Sequence, residues 1–368
     1  PSLGRSMALT LESIGERTRP PFGPLKAKGL AVVWMATLRV WRTDDSPDMA
    51  VTMKATGSDT SLITKAAGSF VVVKATKDAP KEAVFIASKI DGRPVLVTPW
   101  LGNLLIGTTD RAVTEAIDDV ETTIDEIDYL FDTIDEAFAP GIIRREDTLF
   151  SYFGVRPLPY SQGASRKTTR KHVIHKHSGE LEGLISVFGG KLSTFRSLAE
   201  DVTDVAQKIL GTPKSSCQTA RLPLPGAEGH QTTLRVNHDL TTQTQKRLER
   251  LYGTRAGKVL DLVKGDPDLA EVVDPQTGAL AAEFVYAVQC EFAQTLSDVF
   301  LRRTMLGYQT GRGKHLLDAF CATADAHLGW SGQKIAADTE AYLQHIDRQD
   351  VENALQAEIP SKIVSEAS

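Results

Sequence analysis

The chain has 368 residues, 41% hydrophobic and 24% charged, with a formal net charge of −5 at neutral pH and only three cysteines. At about 150 residues per domain this length predicts two or three domains, each large enough to bury a core without staples. The composition excludes a disordered or collagen-like chain, the acidic balance argues against nucleic acid as a partner, and Cys217, Cys290 and Cys321 are too scattered for a disulfide framework and fit a reducing compartment.

Residues 1–60 show no sustained hydrophobic period. The stretch starts with Pro1 rather than Met, which points to processing, cloning or truncation. It carries Arg5, Arg17, Arg19, Lys26 and Lys28 against Glu12 and Glu16, and reads as a disordered or loosely packed leader more than a transit peptide. Its longest apolar run, residues 29–38, is about half of what a membrane-crossing helix needs. The β signal sharpens with short runs at Phe70–Val73, Val84–Ala87, Pro94–Val97 and Leu104–Gly107, and Asp91-Gly92 marks a hairpin. Thr123 and Glu126 form a capping box ahead of Ile127, Leu130, Phe131, Ile134 and Phe138 at helical spacing, with Pro140-Gly141 as the stop.

A strand over Leu184–Phe188 leads through Gly189-Gly190 into a second helix. Its predicted buried stripe is Phe195, Leu198, Ala199, Val202, Val205, Ala206 and Ile209, with Gly211 as C-cap. Residues 211–230, rich in proline and glycine, read as a linker, and beyond them the apolar residues recur only at helical spacing. The predicted class is therefore α+β: a mixed-sheet domain over 61–210 and an all-helical domain over 231–350, with an unassigned leader over 1–60 and a tail over 351–368.

Two features carry chemistry. From Asp110 to Glu136 there are eleven acids and one base, whereas Thr148 to Gly179 contains no acid and six cations: Arg156, Arg166, Lys167, Arg170, Lys171 and Lys176. Arginine forks onto phosphate or carboxylate oxygens with paired hydrogen bonds, so this stretch reads as an anion site or as a solvated loop. His172, His175 and His177 lie among the cations, but no carboxylate or thiolate sits within helical or hairpin reach, so no metal site is expected. The second feature is the strand–Gly189-Gly190-Lys191–helix junction. Paired glycines let backbone amides approach a ligand, and the helix N-terminus and an ammonium favour negative charge at the same spot. The junction is neither a Walker loop nor Gly-x-Gly-x-x-Gly.

Several motifs in one order resemble a family. Pro99-Trp100, the run Ile106 to Asp110, Gly154-Val155-Arg156-Pro157-Leu158, Thr169-Arg170 and the run Gly189 to Arg196 are similar to FAD-dependent glycerol-3-phosphate dehydrogenases. So are Glu283 to Val288, Thr295 to Asp298 and Arg302-Arg303-Thr304 in the helical third. The resemblance covers roughly residues 65–350. It implies an amino-acid-oxidase-like fold and oxidation of sn-glycerol 3-phosphate to dihydroxyacetone phosphate on FAD. It further implies electrons passed to a quinone by a cytoplasmic protein peripheral on the inner membrane, with a homo-oligomer open. Arg156 and Arg170 then look like the cations on the substrate phosphate and its hydroxyls. Lys191 looks like a substrate-binding and catalytic residue, as does Arg156, and the backbone of Gly189, Gly190, Lys191, Leu192 and Ser193 would line the flavin's pyrimidine edge.

The chain departs from that family in two places. Residues 1–60 carry no strand–Gly-x-Gly-x-x-Gly–helix unit for the FAD diphosphate. The family's histidine after Gly-Ser is replaced: Gly68-Ser69 is followed by Phe70, which neither accepts a proton nor hydrogen-bonds. These departures leave a second reading open, a truncated or degenerate homologue that binds an anion or a partner chain without catalysis.

Overall fold

The structure is a computed structural model that describes residues 62–160, 171–178, 183–228 and 240–351. The readings made on residues 1–60, on Arg166, Lys167, Thr169 and Arg170, and on the tail fall outside them. In chain order the elements are strands β1 (Ile63–Val73), β2 (Val84–Ala87), β3 (Pro94–Trp100), β4 (Asn103–Gly107) and β5 (Arg111–Ala112), then helix α1 (Ile124–Asp135) and strand β6 (Thr148–Pro159). The hairpin β7 (His172–Lys176) and β8 (Ile185–Gly189) precedes α2 (Phe195–Leu210), α3 (Thr242–Tyr252) and α4 (Ala256–Gly265). A ribbon of β9 (Val272–Asp274) and β10 (Ala279–Leu280) is followed by α5 (Ala281–Cys290), α6 (Leu317–His327) and α7 (Gly332–Asp347).

These elements form two compact units that interleave along the chain. One comprises residues 62–69, Thr109–Val120 and Phe153–Ala220, and the other Phe70–Thr108, Glu121–Tyr152 and residues 221–351.

The second unit is built on an antiparallel sheet of order β2-β3-β4-β1. Val95 and Val97 are buried while Leu96 between them is exposed, the period-2 signature of a sheet with one covered face. The cover is α1: its Ile127, Leu130, Phe131 and Ile134 pack with Val71, Val73, Val97, Leu104 and Ile106. The predicted capping box is present, with Thr123 Oγ1 accepting from the Glu126 N–H and Glu126 Oε2 accepting from the Thr123 N–H. The helix ends before Pro140-Gly141, because the N–H groups of Ala137 and Phe138 both turn onto the Ile134 carbonyl.

The same unit contains the helices from α3 onward. One core gathers Phe284, Phe300, Phe320 and Tyr342, and another gathers Leu248, Tyr252, Val259, Leu280 and Tyr286. A buried ion pair ties them: Glu283, with no exposed side-chain surface, accepts from Arg247 Nε at 2.9 Å, from the Tyr252 hydroxyl and from the Leu280 N–H. Burial, with the Glu283 carboxylate next in weight, drives the Tyr252 phenol well above its ordinary pKa. The predicted all-helical region differs in one respect, the β9–β10 ribbon, whose strands are too short to establish an alternating period.

In the first unit the opening half of β1 pairs with β5, Ala66 opposite Ala112 and Ala67 opposite Arg111. The strand therefore begins at Ile63, seven residues before the predicted start; Ala66, Ala67, Gly68 and Ser69 are small and give no β signal. The core here is small, Ala67, Val113 and Val120 with Phe153 and Val155 half-buried against them. β7 and β8 pair antiparallel from His172 opposite Gly189 to Lys176 opposite Ile185. The stripe predicted to be buried on α2 is not: no residue of this helix is fully buried, and Phe195 is 57% exposed. Periodicity locates the helix and its C-cap (Gly211, φ +65) but supplies nothing to cover it.

Candidate functional site

The site is built within the first unit from β1, the segment after β4, β6 and the β8–α2 junction. Arg156 lies on β6, and its guanidinium is held on three sides. Nη1 donates to the Ala67 carbonyl at 3.2 Å, Nη2 donates to the Thr109 carbonyl at 3.3 Å, and Asp110 Oδ1 lies 3.5 Å from Nη1. The position exists because residue 68 is glycine: a Cβ there would lie 1.9 Å from Nη2. β1 and the following segment are laced to each other, since the Ser69 N–H donates to Thr109 Oγ1 at 2.9 Å and the Thr109 N–H donates to the Ser69 carbonyl. Arg156 keeps about a third of its side chain exposed, so the fork is oriented by the protein and partly accessible to solvent.

The glycine pair adopts the conformation that only glycine takes without strain, φ +74 at Gly189 and +85 at Gly190. Gly189 is pressed against Pro159 and the Lys171 carbonyl, where a Cβ would lie 2.9 and 3.0 Å away. Because Pro159 ends the strand that carries Arg156, this packing brings the glycine turn and β6 together. Arg156 and Lys191 make no direct contact among the described groups, and Arg170 falls outside them. Past the glycines, a 3₁₀ turn over Leu192–Thr194 feeds α2. The Thr194 hydroxyl accepts from the Lys191 N–H and donates to its carbonyl, fixing the Lys191 backbone. The Lys191 ammonium is exposed and has no ion-pair partner among the described residues, and Leu192 is 90% exposed.

The histidines are occupied structurally. His172 Nε2 lies 2.9 Å from Asp201 Oδ2, His175 and His177 meet edge to face, and His177 Nε2 bonds Ser186 Oγ. Asp201 arrives from α2, beyond the helical or hairpin reach to which the sequence expectation was confined. Sequence reasoning also gave no role to Gly68, Thr109 or Asp110, although all three lie within the quoted motifs. Their signal was the adjacency of Gly68-Ser69 and Thr108-Thr109-Asp110, readable only once the two segments are known to pair. In the second unit, Phe70 stacks on Tyr152 with ring centroids 5.3 Å apart and covers Gly107, whose Cβ would lie 2.3 Å from the Phe70 ring. Burial pushes the Tyr152 phenol up to about 12.

Residues 217–335 match the family described as the C-terminal domain of alpha-glycerophosphate oxidase. Over 289 residues the chain is 36% identical to a glycerol-3-phosphate dehydrogenase of Synechocystis, covering 76% of this chain and 52% of that one. The chain is similar to the glycerol-3-phosphate dehydrogenase family.

A Pseudomonas aeruginosa member is 32% identical over 250 residues (65% of this chain, 48% of the relative). A D-erythritol 1-phosphate dehydrogenase of Brucella abortus is 32% identical over 254 residues (67% and 48%). The chain thus spans about half the length of these curated relatives. The fold is that of the Bacillus halodurans glycerol-3-phosphate dehydrogenase, a structure complexed with FAD. The match has a TM-score of 0.61 at 23% identity and covers 78% of this chain and 57% of that one.

Proposed function

We propose that this chain takes part in the FAD-dependent oxidation of sn-glycerol 3-phosphate to dihydroxyacetone phosphate, with a quinone as final acceptor. The observation that carries the reading is the Arg156 guanidinium, seated in the gap left by Gly68 and oriented by the Ala67 and Thr109 carbonyls and Asp110. A fork so held is suited to a phosphate dianion. Arg170 is assigned to the same phosphate and neighbouring hydroxyls. Lys191, unpaired among the described residues, is assigned to the junction between substrate and cofactor. We also keep the division into a substrate domain over 61–210 and a helical domain over 231–350, joined by the linker over 211–230.

The cofactor assignment is supported by the glycine turn. The left-handed Gly189-Gly190 pair, the Lys191 ammonium and the start of α2 fit the electron-rich edge of a flavin ring, with backbone from Gly189 to Ser193 along it. FAD, when bound, supplies the acceptor for the two electrons lost by the substrate carbinol. The chain's own residues bind and orient: Arg156 fixes the phosphate, and the Lys191 charge favours negative charge developing at the ring edge. Phe70 exchanges no proton, so the carbinol proton leaves by another route. No helix among the described residues is long and apolar enough to cross a membrane; we propose a cytoplasmic protein peripheral on the inner membrane.

The test is anaerobic incubation of the purified chain with FAD and glycerol 3-phosphate, watching the flavin band. Bleaching is the expected outcome, and an unchanged band at saturating FAD would favour the non-catalytic, anion-binding homologue. The kinship with a D-erythritol 1-phosphate dehydrogenase supports a second reading, a longer polyol phosphate as substrate. Parallel assays with erythritol 1-phosphate separate the two.

A further inference from the structure

The second unit holds a cavity of about 550 Å³ that is lined by none of the residues assigned to the candidate site. Its walls come from the β3–β4 turn, the segment after β1, helix α3 and the segment around Thr304. Four of its lining residues are cations, Lys81, Lys246, Arg247 and Arg250, and none is an aspartate or glutamate. Arg247 is neutralised by Glu283 beneath it and donates to the Thr304 carbonyl, so it is a fixed part of the floor. Lys81, Lys246 and Arg250 are exposed and have no ion-pair partner among the described residues. Three uncompensated cations around one concavity set up a focused positive potential on a chain whose net charge is negative.

The apolar part of the wall is as informative. Trp100 is half-buried, its ring edge-on to Tyr308 at 5.0 Å, and Leu101, Leu251 and Met305 stand with it. Leu101 and Met305 have φ of +50 and +62, the left-handed region that costs a non-glycine residue on the order of 1–2 kcal/mol. Leu101-Gly102 is a two-residue hairpin turn with both residues at positive φ, where Asn-Gly or Asp-Gly is the favoured pair. A leucine in the first position sacrifices turn stability to set an apolar side chain at the cavity. Solvated cations on a protein surface are commonplace; a carboxylate-free cavity rimmed by two lysines and an arginine over an apolar wall containing two strained residues is a built site.

We propose that this cavity binds a small organic phosphate: a dianionic group held by Lys81, Lys246 and Arg250, and an apolar or planar body laid against Trp100, Leu101 and Met305. The volume lies within the range of about 300–1,000 Å³ usual for small-molecule sites. The site shares no residue with the Arg156 cluster, so its occupant is a second ligand that does not depend on the proposed reaction.

The experiment compares phenyl phosphate with inorganic phosphate on the full chain, by calorimetry and by tryptophan fluorescence. The two probes carry the same charged group and differ in the ring. Phenyl phosphate is expected to bind at least ten-fold more tightly. The double substitution Lys246→Ala with Arg250→Ala, both exposed and outside the core, should weaken it at least ten-fold while leaving the far-UV circular dichroism unchanged. Arg156→Ala should leave phenyl phosphate affinity as it was, and Trp100→Phe should abolish the fluorescence response. Undiminished binding in the double variant, equal affinity for the two probes, loss in Arg156→Ala or a surviving fluorescence response in Trp100→Phe would each overturn the assignment.

Discussion

The two compact units are made differently. The second packs whole aromatic rings: Phe284, Phe300, Phe320 and Tyr342 are fully buried in one cluster. The first has a core of Ala67, Val113 and Val120, and α2, a helix with a marked apolar stripe, buries none of its residues fully. Yet the first unit holds Arg156 and the glycine turn. Stability and the proposed chemistry are therefore vested in different parts of the chain, and a substitution should affect one or the other according to the unit it falls in.

Phe300→Ala gives the largest contrast. Phe300 meets Phe284, Phe320 and Tyr342 at centroid distances of 5.4–5.7 Å, and its truncation should cost about 3–5 kcal/mol in a denaturant titration. Phe195→Ala on α2 removes the same ring from a position already 57% exposed and should stay within about 0.5 kcal/mol. Equal losses would mean that α2 is covered as deeply as the helical core, and the contrast between the units would fail.

Glu283→Ala ranks next and tests whether the helical region is held by polar as well as apolar contacts. It strands Arg247, only 10% exposed, and removes the acceptor of the Tyr252 hydroxyl. Breaking a buried pair from one side costs about 3–5 kcal/mol, reduced here because Arg247 keeps the Thr304 carbonyl. Thermal denaturation of the variant checks it, and an unchanged midpoint would show the pair to be dispensable.

How far the fold was legible follows the same division. Where an element is set by neighbours close in sequence, pattern sufficed: the Thr123–Glu126 box, the α1 stripe over Ile127–Ile134 and the hairpin around Asp91-Gly92 all appear where predicted. The start of β1 was hidden because Ala66-Ala67-Gly68 has no β propensity and is held in strand by pairing with Ala112, far along the chain. The α2 stripe misled for the complementary reason: periodicity reports what a helix can bury and says nothing of what is there to bury it. For the site, residue type marked an acid-free stretch of six cations and the Gly189-Gly190 pair, and only the family resemblance picked Arg156 out of the six. The partners Ala67, Thr109 and Asp110 came from strand pairing, and His172–Asp201 from hairpin-to-helix contact, neither of which leaves a local signal.

A substitution in the first unit should show in binding and hardly at all in stability. Gly68→Ala places a methyl where the Arg156 guanidinium lies, and the atoms it meets are the far end of a flexible side chain that can swing away. Folding should change by less than about 1 kcal/mol. Affinity for glycerol 3-phosphate should fall by about 1.5–3 kcal/mol, the worth of a hydrogen bond to a charged group. Arg156→Ala should lose at least as much. Calorimetry on both variants decides: a Gly68→Ala protein that binds like wild type would mean that the seat in β1 does not position the fork.

The smallest effect concerns a charge in the same unit that packing does not protect. Glu115 accepts from Arg111 Nη1 at 2.7 Å and from the Thr114 N–H, and these bonds, with the Arg111 hydrogen bond first, lower its carboxyl from 4.5 to about 2. A depressed carboxyl stabilises the folded chain above its unfolded pKa, and that contribution is lost as pH falls through the folded one, here between 4.5 and about 2. Because the Glu115 side chain is partly exposed to solvent, the effect on global stability is screened and the informative measurement is local. In Arg111→Gln, the Glu115 side-chain resonance should titrate with a midpoint moved back toward 4.5. A midpoint that stays near 2 would show that the backbone bonds alone hold the carboxylate, and that the surface of this unit is ordered by its turns more than by its charges.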